Sequence, residues 1–278
     1  MNVKKEVKLI NKVKRLLKRL KCPRYLHYFG PKTYEFYQHI TALLLKEVFK
    51  LSLRRVSNLL NMLGFVVPSY SALCKMRKRI SLSIWKGILS ITTSFSSYIV
   101  AIDSTGFSRT NPSWHYIKRI NSKNPVKSYV KLSCFFDTRR KKFLALRIRA
   151  RPRHDSKDVH YLLKQRRNMK KLVGDTSYDA EWIHELCDKL NITTVIKPRK
   201  NVRRGYYRRK QKEHYSEKTY HRRSMIESGF GSLKRKYGSY LLARAITSQR
   251  AEIYCRAIAH NIGLRYYRFS TAPMWCMF

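Results

Sequence analysis

The run Tyr98-Ile99-Val100-Ala101-Ile102-Asp103-Ser104-Thr105 is a short apolar stretch that ends on a carboxylate, and Lys171-Leu172-Val173-Gly174-Asp175-Thr176 repeats that arrangement later in the chain. Each reads as a buried strand, at 98–102 and 171–173, with an aspartate at its end. Between them, residues 129–136 and 142–150 read as a hairpin about Asp137-Thr138-Arg139-Arg140. A helix is expected over 156–167, another over 180–190, a strand over 193–197, a helix from about 218 that breaks near Gly229 and Gly231, and a last helix over 248–266. This order predicts a mixed α/β sheet flanked by helices, with the strands of Asp103 and Asp175 side by side.

The segment Tyr220-His221-Arg222-Arg223-Ser224-Met225-Ile226-Glu227, continuing to Lys234, holds the only acid between residues 218 and 250. At helical spacing Tyr220, Arg223, Glu227 and Lys234 share one face. A carboxylate framed by cationic and phenolic groups suits a metal ion bound beside a phosphate. Taken singly, Asp103 and Asp175 also suit turn or cap positions, and Glu227 suits an ion pair with Arg223. Taken together, two strand-borne aspartates and a helix-borne glutamate form an all-oxygen set of the kind that holds hard divalent cations. Two such ions about 3.5–4 Å apart stabilise both the attacking and the leaving oxygen at phosphorus.

The chain has 278 residues, with 61 Lys plus Arg against 16 Asp plus Glu and a formal net charge of +45, so its expected partner is a polyanion. A hydrophobic content of 44% excludes a disordered basic tail and supplies a core. The basic residues spread along the whole chain, which disfavours a membrane-surface helix. The six cysteines are scattered, outside any zinc or disulfide pattern. No secretory signal or membrane span is indicated, and a cytoplasmic, nucleoid-associated protein without membrane contact is expected.

Residues 1–95 read as helical. An amphipathic basic helix runs from residue 3 to 20, before Pro23, and a second is expected over 33–49. A third over 52–64, capped by Ser52 and Gly64, precedes a basic helix over 72–80. Residues 52–80 are therefore a helix-turn-helix candidate, with Ser71, Lys75, Lys78 and Arg79 as contacts to a duplex.

Here the resemblance becomes specific. The chain resembles the DDE transposases of prokaryotic insertion sequences, in the branch whose third acid lies in a Tyr-x2-Arg-x3-Glu-x6-Lys signature. Tyr220, Arg223, Glu227 and Lys234 match every place of it, and Asp103 and Asp175 match the first and second aspartates. The resemblance implies a ribonuclease H-like catalytic core over 96–269, preceded by an all-helical DNA-binding region over 1–95 and followed by an apolar tail over 270–278. It implies Asp103, Asp175 and Glu227 as catalytic residues and as ligands of two Mg2+ ions, with Mn2+ as substitute. Tyr220, Arg223 and Lys234 would hold the DNA end. The implied partners are double-stranded DNA, both transposon ends and target, and a second copy of the chain. The interval from Asp175 to Glu227 leaves no room for a large inserted β-domain. His154-Asp155 resembles a recurring pair and reads as a loop and cap element, at most an outer-shell group. The stretch 197–212, with Arg203, Arg204, Arg208 and Arg209 beside Tyr206 and Tyr207, reads as a loop that orders on DNA. A nuclease of the same fold and a catalytically inactive nucleic-acid binder are the alternatives.

Overall fold

The computed structural model describes residues 3–26, 28–29, 31–93, 96–109, 129–151, 153–165, 168–199 and 204–263, with side chains from Leu9 onward. The expected tail over 270–278 and Arg203 lie outside these residues. The strands are β1 (Ser96–Arg109), β2 (Tyr129–Asp137), β3 (Lys142–Arg149), β4 (Asn168–Gly174), β5 (Thr193–Ile196) and β6 (Tyr240–Leu241). They form one sheet in the order β3-β2-β1-β4-β5, with β6 beside the far end of β1. β1, β2 and β3 form an antiparallel meander, and β4 and β5 run parallel to β1 on its other side. This is the mixed sheet of a ribonuclease H-like fold.

The hairpin forms where expected. Asp137 accepts hydrogen bonds from the amides of Arg139 and Arg140, and Lys141 takes a positive φ of 55°. β1, however, does not end at Ile102. Its residues from Ser104 to Ser108 stay paired with β2, from Ser133 to Tyr129, whereas its pairing with β4 stops at Ala101 opposite Val173. Asp103 therefore sits in mid-strand, at the point where the sheet opens on one side. The polar run Ser104-Thr105-Gly106 hides this continuation, because ladder pairing and not local apolar content sustains it.

The two faces of β1 are covered by different helices. Val100 and Ile102 join an apolar cluster with α6 (Val159–Leu163) and α7 (Glu181–Asp188). The helix expected over 156–167 is thus a 3-10 turn, Asp155–Asp158, followed by the short α6. Ala101 and Phe107 face the other way, toward α10 (Ser224–Tyr237) and α11 (Ile246–Asn261). The same cluster takes in α1 (Val3–Arg19), α2 (Phe36–Val48), α3 (Leu53–Met62), α4 (Tyr70–Arg79) and α5 (Leu82–Ile91), so the N-terminal helices share a core with the sheet.

α10 runs unbroken through Gly229 and Gly231, against the expected interruption. Gly229 is instead a contact point: a Cβ there would stand 2.7 Å from Cε2 of Phe136, so the missing side chain lets the helix lie close on the sheet. The loop expected over 197–212 also contains a helix, α8 (Tyr206–Glu213). Glu181 accepts from the amides of Tyr207 and Arg208 at its start. The sequence of α8 carries no apolar stripe, so only these tertiary bonds mark it. A shorter helix, α9 (Glu217–Tyr220), precedes α10.

α11 is buried along most of its length and brings two charges inside, Glu252 and Arg256. Glu252 accepts from Lys46 Nζ at 2.9 Å and Arg77 Nη1 at 3.3 Å, and Arg256 donates to Glu47 at 2.8 Å. The other carboxylate oxygen of Glu252 accepts from the amides of Leu242 and Ala243. Removing one member leaves its partners buried and uncompensated, so Glu252→Ala is expected to cost about 3–5 kcal/mol in urea unfolding. Glu185→Ala, which breaks the exposed pair with Lys189, is expected to leave the urea midpoint nearly unchanged. Equal losses would show that the inner network contributes nothing particular.

Candidate active site

Asp103 and Asp175 lie at the same end of the parallel pair β1 and β4. Asp103 lies two residues beyond the last β1–β4 pair, and Asp175 follows the last residue of β4. Each carboxylate is oriented locally: Asp103 Oδ1 accepts from the Ser104 amide at 2.7 Å, and Asp175 Oδ1 accepts from the amide and hydroxyl of Ser177. Asp175 thereby caps the 3-10 turn Thr176–Tyr178.

Glu227 reaches this region from the first turn of α10. Arg223 joins it to Asp103: one guanidinium nitrogen is 2.6 Å from Glu227 Oε1 and another 3.7 Å from Asp103 Oδ2. Burial pushes the Asp103 carboxyl up to about 6, and the nearby charges of Asp175 and Glu227 add to that, against the Ser104 amide and Arg223. Asp175 and Glu227 therefore both act electrostatically on Asp103. Among the described residues, no three His, Cys, Asp or Glu side chains stand at metal-ligand spacing. The donor chemistry nevertheless fits a hard divalent cation: three carboxylates, with a guanidinium drawn between two of them.

The rest of the signature lines α9 and α10. Tyr220 lies 6.0 Å from the Tyr215 ring, and Lys234 is half-buried with its ammonium 5.6 Å from the centre of the Phe107 ring. Burial lowers the Lys234 pKa. The expected contacts on α4, Ser71, Lys75, Lys78 and Arg79, are all exposed, while Arg77 turns inward to Glu252. Ser69, not Ser71, caps that helix by accepting from the Ala72 amide.

Arg204 and Arg209 are exposed. Arg208 is engaged inside the protein, donating to the carboxylate of Asp179 at 3.1 Å and to its carbonyl at 2.8 Å. Arg208 thus ties α8 to the turn at Asp179, whereas Arg204 and Arg209 point outward. His154 caps the 3-10 turn Asp155–Asp158 through the Ser156 amide, and Asp155 accepts from the hydroxyl of Ser104, the neighbour of Asp103. Sequence reasoning missed Asp179, whose buried carboxylate also meets His184 at 3.0 Å and the Arg199 amide at 2.9 Å. Nothing in the local pattern sets it apart from an ordinary turn aspartate.

The strand order defines a ribonuclease H-like sheet, with Asp103 and Asp175 where β1 and β4 part. Residues 94–262 match the family described as the transposase DDE domain, and the chain belongs to that family. No curated protein matches it. Among solved structures, the chain is similar to the piggyBac transposase synaptic complex with hairpin DNA, at 12% identity and a TM-score of 0.41, covering 92% of this chain and 73% of that one. It is similar to the Mos1 strand transfer complex at 18% identity and a TM-score of 0.30, covering 89% and 82%. A Mos1 mariner paired-end complex with Mn shows 16% identity and a TM-score of 0.29, covering 89% and 83%. Among the described residues, no helix is long and apolar enough to cross a membrane.

Proposed function

We propose that this chain is the transposase of a prokaryotic insertion sequence: it binds the terminal inverted repeats, nicks DNA at the element ends and joins the freed 3′-hydroxyl to target DNA. The observation that carries this reading is the bridge from Asp103 through Arg223 to Glu227, with Asp175 acting on the same carboxyl. Two divalent cations, Mg2+ or Mn2+, held by Asp103, Asp175 and Glu227 would polarise the phosphate and activate first water and then the 3′-hydroxyl.

The chain's own groups do the positioning. Arg223 exchanges its carboxylate partners for the oxygens of a DNA-end phosphate, where a planar fork suits bidentate contact. Tyr220 and Lys234 extend that contact along α9 and α10, and Arg204 and Arg209 add charge to the approach. The helical region over 1–95 supplies the recognition surface, with α4 presented to a major groove. Joining two ends calls for a homodimer on DNA. Action on DNA in a cell without a nucleus places the protein at the nucleoid.

The test is a labelled duplex bearing the inverted repeats that flank the gene, incubated with Mg2+ or Mn2+. Nicking at the repeat boundary followed by a joined product is the expected result. Nicking without joining would reassign the chain to a nuclease of the same fold, and salt-sensitive binding without cutting would sink the enzymatic reading.

A further inference from the structure

Tyr178 is 1% exposed, and among the described residues its hydroxyl has no hydrogen-bond partner. Native proteins seldom bury a donor in this way without a reason. The residue stands three positions after Asp175, at the end of the turn that Asp175 caps, and its amide donates to the Asp175 carbonyl at 3.1 Å. Its ring lies in space left by Gly174, where a Cβ would come within 3.2 Å of the ring and 3.0 Å of Ile102 Cγ2. The glycine at the end of β4 thus admits the ring into the apolar cluster that holds Ile102 and the inner faces of α6 and α7.

Burial first, and then Asp155, Asp103, Asp175 and Cys134, raise the pKa of the phenol well above the ordinary tyrosine range. The hydroxyl is a buried donor without a partner among the described residues, on the turn that Asp175 caps. Asp155 is already occupied by Ser104 and Lys131. Among the described residues, Asp103 and Asp175 accept hydrogen bonds only from neighbours one and two residues along the chain, with Arg223 3.7 Å from Asp103 Oδ2, so each retains acceptor capacity.

We infer that Tyr178 is a positioning residue of the carboxylate site: its hydroxyl donates to an oxygen of Asp103 or Asp175 when these groups hold a divalent cation. This rests on the reading of the two aspartates as cation ligands. Groups that orient ligands from behind carry a measurable share of metal affinity, about 10–100-fold when removed.

Tyr178→Phe keeps the ring in its place against Gly174 and deletes only the donor. Mn2+ affinity of the full chain, measured by calorimetry or paramagnetic resonance, is expected to weaken about 10-fold or more. Metal-free thermal unfolding is expected to be unchanged or shifted upward, since the lost hydroxyl makes no bond in that state. Equal Mn2+ affinity in both proteins overturns the inference while leaving the aspartates as ligands. A lower metal-free melting temperature in the variant overturns it too, because the hydroxyl would then serve the fold. If the unaltered protein binds no Mn2+, the ligand reading falls and this inference with it.

Discussion

Glu227→Ala is expected to abolish strand cleavage, with a loss of about 10^3-fold or more, and Asp103→Ala and Asp175→Ala are expected to do the same. A cation that polarises phosphoryl oxygen contributes several kcal/mol to the transition state, and about 4 kcal/mol corresponds to 10^3-fold. The Glu227 variant is the cleanest of the three, because its side chain is 52% exposed and its ion pair is with Arg223, four residues earlier in the turn that leads into α10. Such a pair is worth less than about 1 kcal/mol to the fold, so lost activity cannot be put down to unfolding. DNA binding should persist or strengthen, since the substitution removes a negative charge from a basic surface. Combining Glu227→Ala with Asp103→Ala should cost little more than either alone, because ligands of one site act as a unit. Cleavage within tenfold of the unaltered protein would remove Glu227 from the reaction.

Asp103→Asn is expected to stabilise the metal-free protein at pH 7.5 by about 1–3 kcal/mol, although it destroys activity. The sign follows from the raised pKa. Burial, with Asp175 and Glu227 adding to it, lifts the carboxyl from 3.8 to about 6 in the folded protein. Folded protein therefore binds that proton more tightly than unfolded chain, and the group's penalty grows as pH rises from about 4 to 6 and persists above. At pH 4 the substitution should be nearly neutral. Adding Mg2+ or Mn2+ at about 100 times the dissociation constant should return about 2.7 kcal/mol to the unaltered protein and much less to the variant. Urea melts at pH 4 and pH 7.5, with and without metal, check all four values. A variant less stable than the parent in metal-free buffer at pH 7.5 would contradict the raised carboxyl.

The two apolar runs ending in Asp103 and Asp175 were legible because a buried strand needs uninterrupted apolar residues on both faces. The turn at Asp137 was legible because its side chain bonds the backbone two and three residues on, a purely local act. The register of Tyr220, Arg223, Glu227 and Lys234 was legible as one stripe of a helix. α8 was not, since its eight residues are nearly all polar and are held by Glu181, Asp179 and Asp188 from α7 and the turn before it.

Local chemistry therefore determined the strands, most of the helices and the mixed sheet, because strand and helix periodicity and turn bonding depend on near neighbours alone. Tertiary structure decided where Asp103 stands in β1, which basic residues are exposed and which, like Arg77 and Arg208, turn inward, and why a glycine ends β4 and another lies within α10. Those outcomes depend on which distant side chain packs or pairs at a given place in the folded chain. That ring or carboxylate comes from another part of the chain, so a local pattern carries no trace of it.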